Sequence, residues 1–337
     1  MSFPMSSLLF FSSLLTGTIL SISSPSWFGA WFGLELNLLS FIPLVSTKMN
    51  SYLSEAAIKY FLIQALASTV IIMSSSLSML LPSFSFTLIL LALILKLGAA
   101  PFHFWFPQIM EGLSWPQAII LMTIQKMAPM FLISYLTFTP VMTNIILLSS
   151  MISALAGALG GLNVMNLRKL MAFSSINHMS WMLISISIND TMWLVYFFFY
   201  VLISSSVVLF FHLIQSFTLS ELMNFDRPHY IFSMILPLSL LSLGGLPPFT
   251  GFLPKWLMIQ LLISNSMFLP LALLLFSSLL TLYFYLRLLI PFILTSNFTL
   301  SINSKHPSSL TFSNFFIPTF SFFNLLGLFL PLPFLTL

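Results

Sequence analysis

Long apolar stretches alternate with short polar ones along this chain. The apolar runs are continuous rather than alternating, so helices fit them and the short strands of a membrane barrel do not. A bilayer core needs roughly 20 apolar residues per helix. Hydropathy then predicts about eleven segments, near 4–21, 27–45, 56–80, 84–100, 116–138, 142–161, 169–188, 192–216, 230–263, 267–293 and 312–337. The ninth is interrupted. No basic n-region precedes the first run, whose first charged neighbour is Glu35, so that run is predicted as a retained helix. The polar stretches Ser46–Glu55, Ser220–Tyr230 and Ser296–Thr311 are too short to form a soluble domain. The predicted fold class is an all-α polytopic membrane protein, with 1–337 as a single transmembrane domain.

Composition narrows the function classes. Of 337 residues, 59% are hydrophobic and 5% charged, against about 25% charged in a soluble domain. A soluble enzyme, a nucleic-acid binder and a disordered chain are excluded. There is no cysteine, so disulfides, iron–sulfur clusters and thiolate zinc sites are excluded too.

Seven of the ten Lys and Arg residues lie in or close to loops on one face: Lys48, Lys59, Arg168, Lys169, Arg227, Arg287 and Lys305. The positive-inside rule turns that face, with the N-terminus, toward the cytoplasm or mitochondrial matrix, and Leu337 away from it. These seven read as topology anchors. Glu55 and Lys59 read as an i,i+4 pair.

The remaining charges change the picture. Lys96, Lys126 and Lys255 fall inside predicted helices, and so does Glu35. A charge at midplane costs about 2.5–3.5 kcal/mol on insertion scales. One reading is a buried ion pair that orients helices, but a single glutamate leaves two lysines over. The favoured reading is a relay of protonatable groups across a hydrated interior. Lysine suits it because, unlike arginine, it releases its proton. His178, among Ser174, Ser175 and Asn177, is either a further relay group or a histidine bonded to a neighbouring helix. His212, near a helix end, reads as packing. Haem ligation by these two histidines is disfavoured, since the other histidines lie in loops or beside breaks.

Two segments interrupt the helices in similar words, around Gly98 and Pro101, and around Gly244, Gly245, Pro247 and Pro248. At an offset of 146, Leu95, Leu97, Gly98, Pro101 and Phe106 meet Leu241, Leu243, Gly244, Pro247 and Phe252. The offset spans five helices, an odd number, so the second unit is predicted to be inverted in the membrane. The first unit is placed at about 84–216 and the second, incomplete, at about 230–337, with 1–80 preceding both. Broken helices in inverted repeats mark ion paths in transporters, and freed carbonyls at membrane depth must meet water or protein. A kink used only for packing is the alternative.

Five motifs carry a resemblance. They are Trp31-Phe-Gly-Leu-Glu35-Leu-Asn, Lys96-Leu-Gly-Ala-Ala-Pro-Phe-His-Phe-Trp105, Gln125-Lys126-Met-Ala-Pro129, Gly160-Gly-Leu-Asn163 followed by Leu167 through His178, and Leu243 through Trp256. Over roughly residues 27–290 the chain resembles the antiporter-like membrane-arm subunits of respiratory complex I, NADH:ubiquinone oxidoreductase. The resemblance is to the shortened animal mitochondrial form of the chain 2 family, which lacks three N-terminal helices of longer bacterial members. It implies a proton-pumping subunit of an NADH:ubiquinone reductase. It implies Glu35 paired with Lys96, a path continued by Lys126, and Lys255 leading toward the exit or a neighbouring subunit. His178 matches the family's histidine, whereas His212 matches no motif. The resemblance further implies no cofactor in this chain, with FMN, iron–sulfur clusters and ubiquinone elsewhere in the complex. The implied partners are other membrane-arm subunits, neighbouring antiporter-like chains among them, and phospholipids such as cardiolipin, with no nucleic acid. The implied location is the mitochondrial inner membrane, N-terminus in the matrix and C-terminus in the intermembrane space. The helix pattern alone equally suits a stand-alone cation/proton antiporter; only the motifs separate the two.

Overall fold

The computed structural model describes residues 5–46, 50–223 and 230–295. Within them the chain is helical throughout, apart from loops and one isolated bridge between Asn166 and Thr218. Ten of the predicted segments fall in these residues and all are helical. The eleventh, 312–337, lies outside the described residues, as do Lys48, Arg227 and Lys305.

The first three segments are the unbroken helices α1 (Met5–Ser23), α2 (Trp27–Val45) and α3 (Ser51–Leu77). The fourth is α4 (Pro82–Leu97), and after a break the chain restarts as α5 (Trp105–Gly112), an eight-residue helix that the hydropathy pattern did not predict. The fifth is likewise double, α6 (Trp115–Met122) and α7 (Ile124–Ser134). Next come α8 (Pro140–Gly160), α9 (Leu167–Ile188) and α10 (Asp190–Ile214), then a short α11 (Leu219–Met223). The predicted interruption separates α12 (Tyr230–Gly244) from α13 (Phe252–Ser264), and α14 (Phe268–Thr295) ends the described chain. Seven of these stretches are long and apolar enough to cross a membrane, and α4 and α13 are shorter apolar helices.

Burial sorts the helices. In α1, Met5, Leu9 and Ile19 are exposed, as expected of a helix facing lipid. By contrast, 17 of the 22 residues of α9 are buried. It packs against α5, α6, α7, α8, α10, α13 and α14. It is also less apolar than the other long helices. A helix enclosed by protein need not be apolar toward lipid, which is how α9 tolerates Ser174, Ser175, Asn177 and His178.

Glycines set two close crossings. A Cβ on Gly33 would come 2.5 Å from the Ser21 amide nitrogen, which fixes α2 against α1. One on Gly157 would come 2.7 Å from the Asn177 nitrogen, which fixes α8 against α9. Small residues at such crossings let membrane helices approach closely.

Candidate functional site

Both breaks are closed by the same hydrogen bonds. Gly98 has φ 70° and its N–H reaches the Leu95 carbonyl at 3.1 Å, while Ala99 N–H reaches Ile94 at 3.3 Å. Gly245 has φ 76°, its N–H reaches Ser242 at 3.0 Å, and Leu246 N–H reaches Leu241 at 3.4 Å. These are Schellman endings, in which a left-handed residue just past the helix lets two amides turn back onto the last carbonyls. Beyond them, Phe102 N–H to Ala99 matches Phe249 N–H to Leu246, and Phe106 N–H to His103 matches Leu253 N–H to Thr250. The backbone register of the two breaks is therefore 147, not the 146 read from side-chain identities. Gly98 corresponds to Gly245, and Pro101 to Pro248. In so biased a composition Leu and Phe matches recur in several registers, whereas a positive φ admits few residues.

The freed carbonyls are taken by side chains. Trp105 Nε1 donates to the Leu95 carbonyl at 3.0 Å and Gln64 Nε2 to that of Lys96 at 3.2 Å. At the second break Lys255 Nζ donates to the Gly244 carbonyl at 2.8 Å.

The three lysines are deeply placed: Lys96, Lys126 and Lys255 are 7%, 3% and 6% exposed. Lys96 and Lys126 line one cavity of about 20 Å³ together with Tyr60, Gln64, Trp105, Phe106 and Gln125. A water needs roughly 10–15 Å³ and two or more polar partners, so this space suits one water between the two lysines. A hydrogen-bonded chain closes it: Tyr60 OH donates to Gln125 Oε1 at 3.1 Å, and Gln125 Nε2 to Asn37 Oδ1 at 2.8 Å. Pro129, also in the wall, has no N–H to offer the Gln125 carbonyl one turn earlier.

A third interruption, not anticipated from sequence, lies one turn before Lys126. At Thr123, between α6 and α7, the backbone departs from ideal helix angles (φ −112°, ψ −79°), and its hydroxyl donates to the Ile119 carbonyl at 2.7 Å. Such back-bonding by Thr bends helices.

Glu35 stands apart from the lysines. Among the described residues the ion pairs are Glu55–Lys59 at 2.6 Å and Glu111–Lys169 at 2.7 Å. The Oε2 of Glu35 is buried with no hydrogen-bond partner among the described residues.

His178 is on α9, which packs against α7, the helix of Lys126, and against α13, the helix of Lys255. Its Nδ1 is 3.0 Å from the Tyr196 hydroxyl. Its ring is 5.3 Å from that of Tyr200, and Tyr200 in turn lies under Lys126 Nζ, 5.4 Å from the ring centre. His212 is not part of this group; it lines a wide cleft of about 1090 Å³ with Lys59, Glu111 and Arg168. Among the described residues no three His, Asp or Glu side chains gather as metal ligands. Sequence reasoning assigned no role to Asn37, Tyr60, Gln64, Gln125, Tyr196 and Tyr200. Asn37 and Gln125 stand in the motifs quoted above, and the signal for the others was that polar residues are scarce within predicted spans.

The family described as "NADH:quinone oxidoreductase/Mrp antiporter, TM" matches residues 24–83 and 74–281. NADH-ubiquinone oxidoreductase chain 2 of Anopheles gambiae is 49% identical over 83% of this chain and 84% of its own length. The chain belongs to the NADH-ubiquinone oxidoreductase chain 2 family. The Aedes aegypti protein of that name is 44% identical over 95% of both chains. The elephant Loxodonta africana has a chain 2 that is 38% identical over 94% of this chain. The chain 2 fold recurs in a chain of respiratory complex I from Thermus thermophilus, at TM-score 0.86 and 24% identity over 99% of this chain and 81% of that one. It also recurs in a membrane-bound sulfane sulfur reductase, at TM-score 0.82 and 18% identity over 97% of this chain and 73% of that one.

Proposed function

We propose that this chain translocates protons through Glu35, Lys96, Lys126, His178 and Lys255 as a membrane-arm subunit of NADH:ubiquinone oxidoreductase. Electron transfer runs elsewhere in the complex, where FMN, the iron–sulfur clusters and ubiquinone reside. The energy reaches this subunit as a change in charge or hydration beside Glu35. Bringing that carboxylate toward or away from Lys96 changes the lysine's hold on its proton. The proton then passes by way of the shared cavity to Lys126 and past His178 to Lys255.

The observation that supports this reading is the place of His178 on α9, a helix that packs against both α7, which carries Lys126, and α13, which carries Lys255. Without it the two lysines would be separate features. Its partners in the assembly are other membrane-arm subunits, including antiporter-like neighbours, and phospholipids such as cardiolipin. It sits in the mitochondrial inner membrane with the N-terminus in the matrix and the C-terminus in the intermembrane space. The two breaks begin inverted units at about 84–216 and 230–337, a proposal that the shared Schellman endings support.

The test is the Lys126→Arg variant in the assembled complex. Arginine keeps the charge but does not release a proton, so proton pumping per NADH oxidised is expected to fall while the complex assembles. Pumping at the wild-type ratio in that variant would sink the proposal.

A further inference from the structure

Lys126 is a buried lysine that makes no ion pair with a carboxylate among the described residues. The titratable groups that face it are Lys96 from α4 and Tyr60 from α3 across the cavity, Tyr200 from α10, and His178 from α9. Neither α1 nor α6 carries a charged residue. From α2 the cavity receives Asn37 rather than Glu35. The acid of α5, Glu111, is held at that helix's far end by Asn166 at 2.6 Å and Lys169 at 2.7 Å.

Two aromatic faces stand where a carboxylate would be expected. Lys126 Nζ lies 4.9 Å from the centre of the Phe106 ring and 5.4 Å from that of Tyr200. A ring face is electrically negative and attracts a cation, most strongly where water is excluded. The neutral amine gains no such attraction, so the rings distinguish the two protonation states.

Phe106 is also fixed to the first break. It is 1% exposed and meets Trp105 edge-on at 5.6 Å, and Trp105 is tied to the Leu95 carbonyl. A Cβ on Gly98 would lie 3.1 Å from the Phe106 Cβ, so the base of that side chain packs closely on the turn. A rearrangement of the turn that follows Lys96 would thus move the Phe106 face relative to Lys126.

We infer that Phe106 is a positioning residue of the relay: its ring holds the ammonium form of Lys126 in place of a carboxylate and ties that lysine to the first helix break. The inference rests on the relay reading above. It supplies a physical link between Lys96 and Lys126 besides a shared water.

The test compares Phe106→Leu, which removes the aromatic face at similar volume, with Phe106→Tyr, which keeps it. Both are read in the assembled complex by the ratio of protons pumped to NADH oxidised and by the pH profile of coupled turnover. Loss of the face makes Lys126 give up its proton at lower pH, so the alkaline limb in Phe106→Leu is expected to move down by about one pH unit. Phe106→Tyr is expected to keep the wild-type limb. An unmoved limb in Phe106→Leu, or the same shift in both variants, overturns the inference. Tyr200→Leu removes the other face and is expected to shift the limb in the same direction; an unmoved limb there overturns it as well. Lys126→Met separates the two levels. Wild-type pumping in Lys126→Met would sink the relay itself, whereas lost pumping there with a wild-type profile in Phe106→Leu would sink only the role of Phe106.

Discussion

Lys255 reaches back across the second break to donate a 2.8 Å hydrogen bond to the carbonyl of Gly244. The carbonyl is available because α12 ends there, and it gives the Lys255 nitrogen an acceptor that is not a carboxylate. A break and a buried lysine, two features that are each costly in a membrane, here stabilise one another.

Gly245→Ala should disturb that pairing. Gly245 holds φ 76°, and an added Cβ would lie 2.8 Å from Lys255 Cδ and 2.9 Å from its Nζ. The left-handed backbone alone costs about 1–2 kcal/mol for a residue with a Cβ. Reduced assembly on native gels, and reduced pumping in whatever assembles, are the expected results. Normal values of both would show that the turn and the lysine do not depend on each other.

Gly33→Ala acts at a distance from the lysines. The new methyl would meet α1 backbone at Ser21, and overpacking of this kind costs about 1–3 kcal/mol. Since α2 carries Glu35, its displacement should lower thermal stability and weaken coupling together. A melting temperature equal to wild type would argue that the α1–α2 crossing is looser than the structure has it.

Tyr196→Phe keeps the ring but removes the hydroxyl that meets His178 Nδ1 at 3.0 Å. A hydrogen bond of this kind contributes about 1 kcal/mol, so a rate that depends on the orientation of His178 should fall by about fivefold. Assembly should be preserved. Unchanged pumping would remove His178 orientation from the mechanism.

Glu221 offers a pH test outside the membrane. Its carboxylate accepts from the amides of Phe217 at 2.7 Å and Thr218 at 3.2 Å. The Phe217 amide foremost, then that of Thr218, the Thr218 hydroxyl and the Arg168 charge, hold its carboxyl below the usual carboxylate range. Because the folded value is depressed, the contribution is complete above the unfolded value and is lost as pH falls through the folded one. Hydrogen exchange at Phe217 and Thr218, corrected for intrinsic rates, should be protected at pH 7 and lose protection in acid. In Glu221→Gln, which keeps an acceptor oxygen but does not titrate, that acid-dependent loss of protection should disappear.

The spans were legible because a helix in lipid must be apolar along its length. The segment predicted at 27–45 is α2 as found, and 142–161 differs from α8 by two residues at its start and one at its end. Segment 116–138 hid the interruption at Thr123, since a threonine that bonds back to Ile119 leaves no mark in hydropathy. The eight residues of α5 were overlooked because Pro101 and Pro107 punctuate a stretch too short to span. The break register was misread by one residue, because abundant Leu and Phe align in more than one way, whereas left-handed Gly98 and Gly245 align in one.

Sequence by itself determined the membrane class, the positions of the spans, and the four charged residues that could not be explained as anchors. Each of these follows from the cost of putting polarity into hydrocarbon, which acts on every residue independently of its neighbours. Only the tertiary structure decided what those charges meet. It left Glu35 outside ion-pair distance of Lys96, gave Lys126 two aromatic faces and Lys255 a backbone carbonyl, and put His178 on the helix that packs against both α7 and α13. Those relationships join α2, α4, α5, α7, α9, α10, α12 and α13, and whether two side chains on different helices touch depends on crossings such as Gly33 on Ser21 and Gly157 on Asn177. A hydrophobic pattern fixes which face of a helix is buried but not which neighbour buries it.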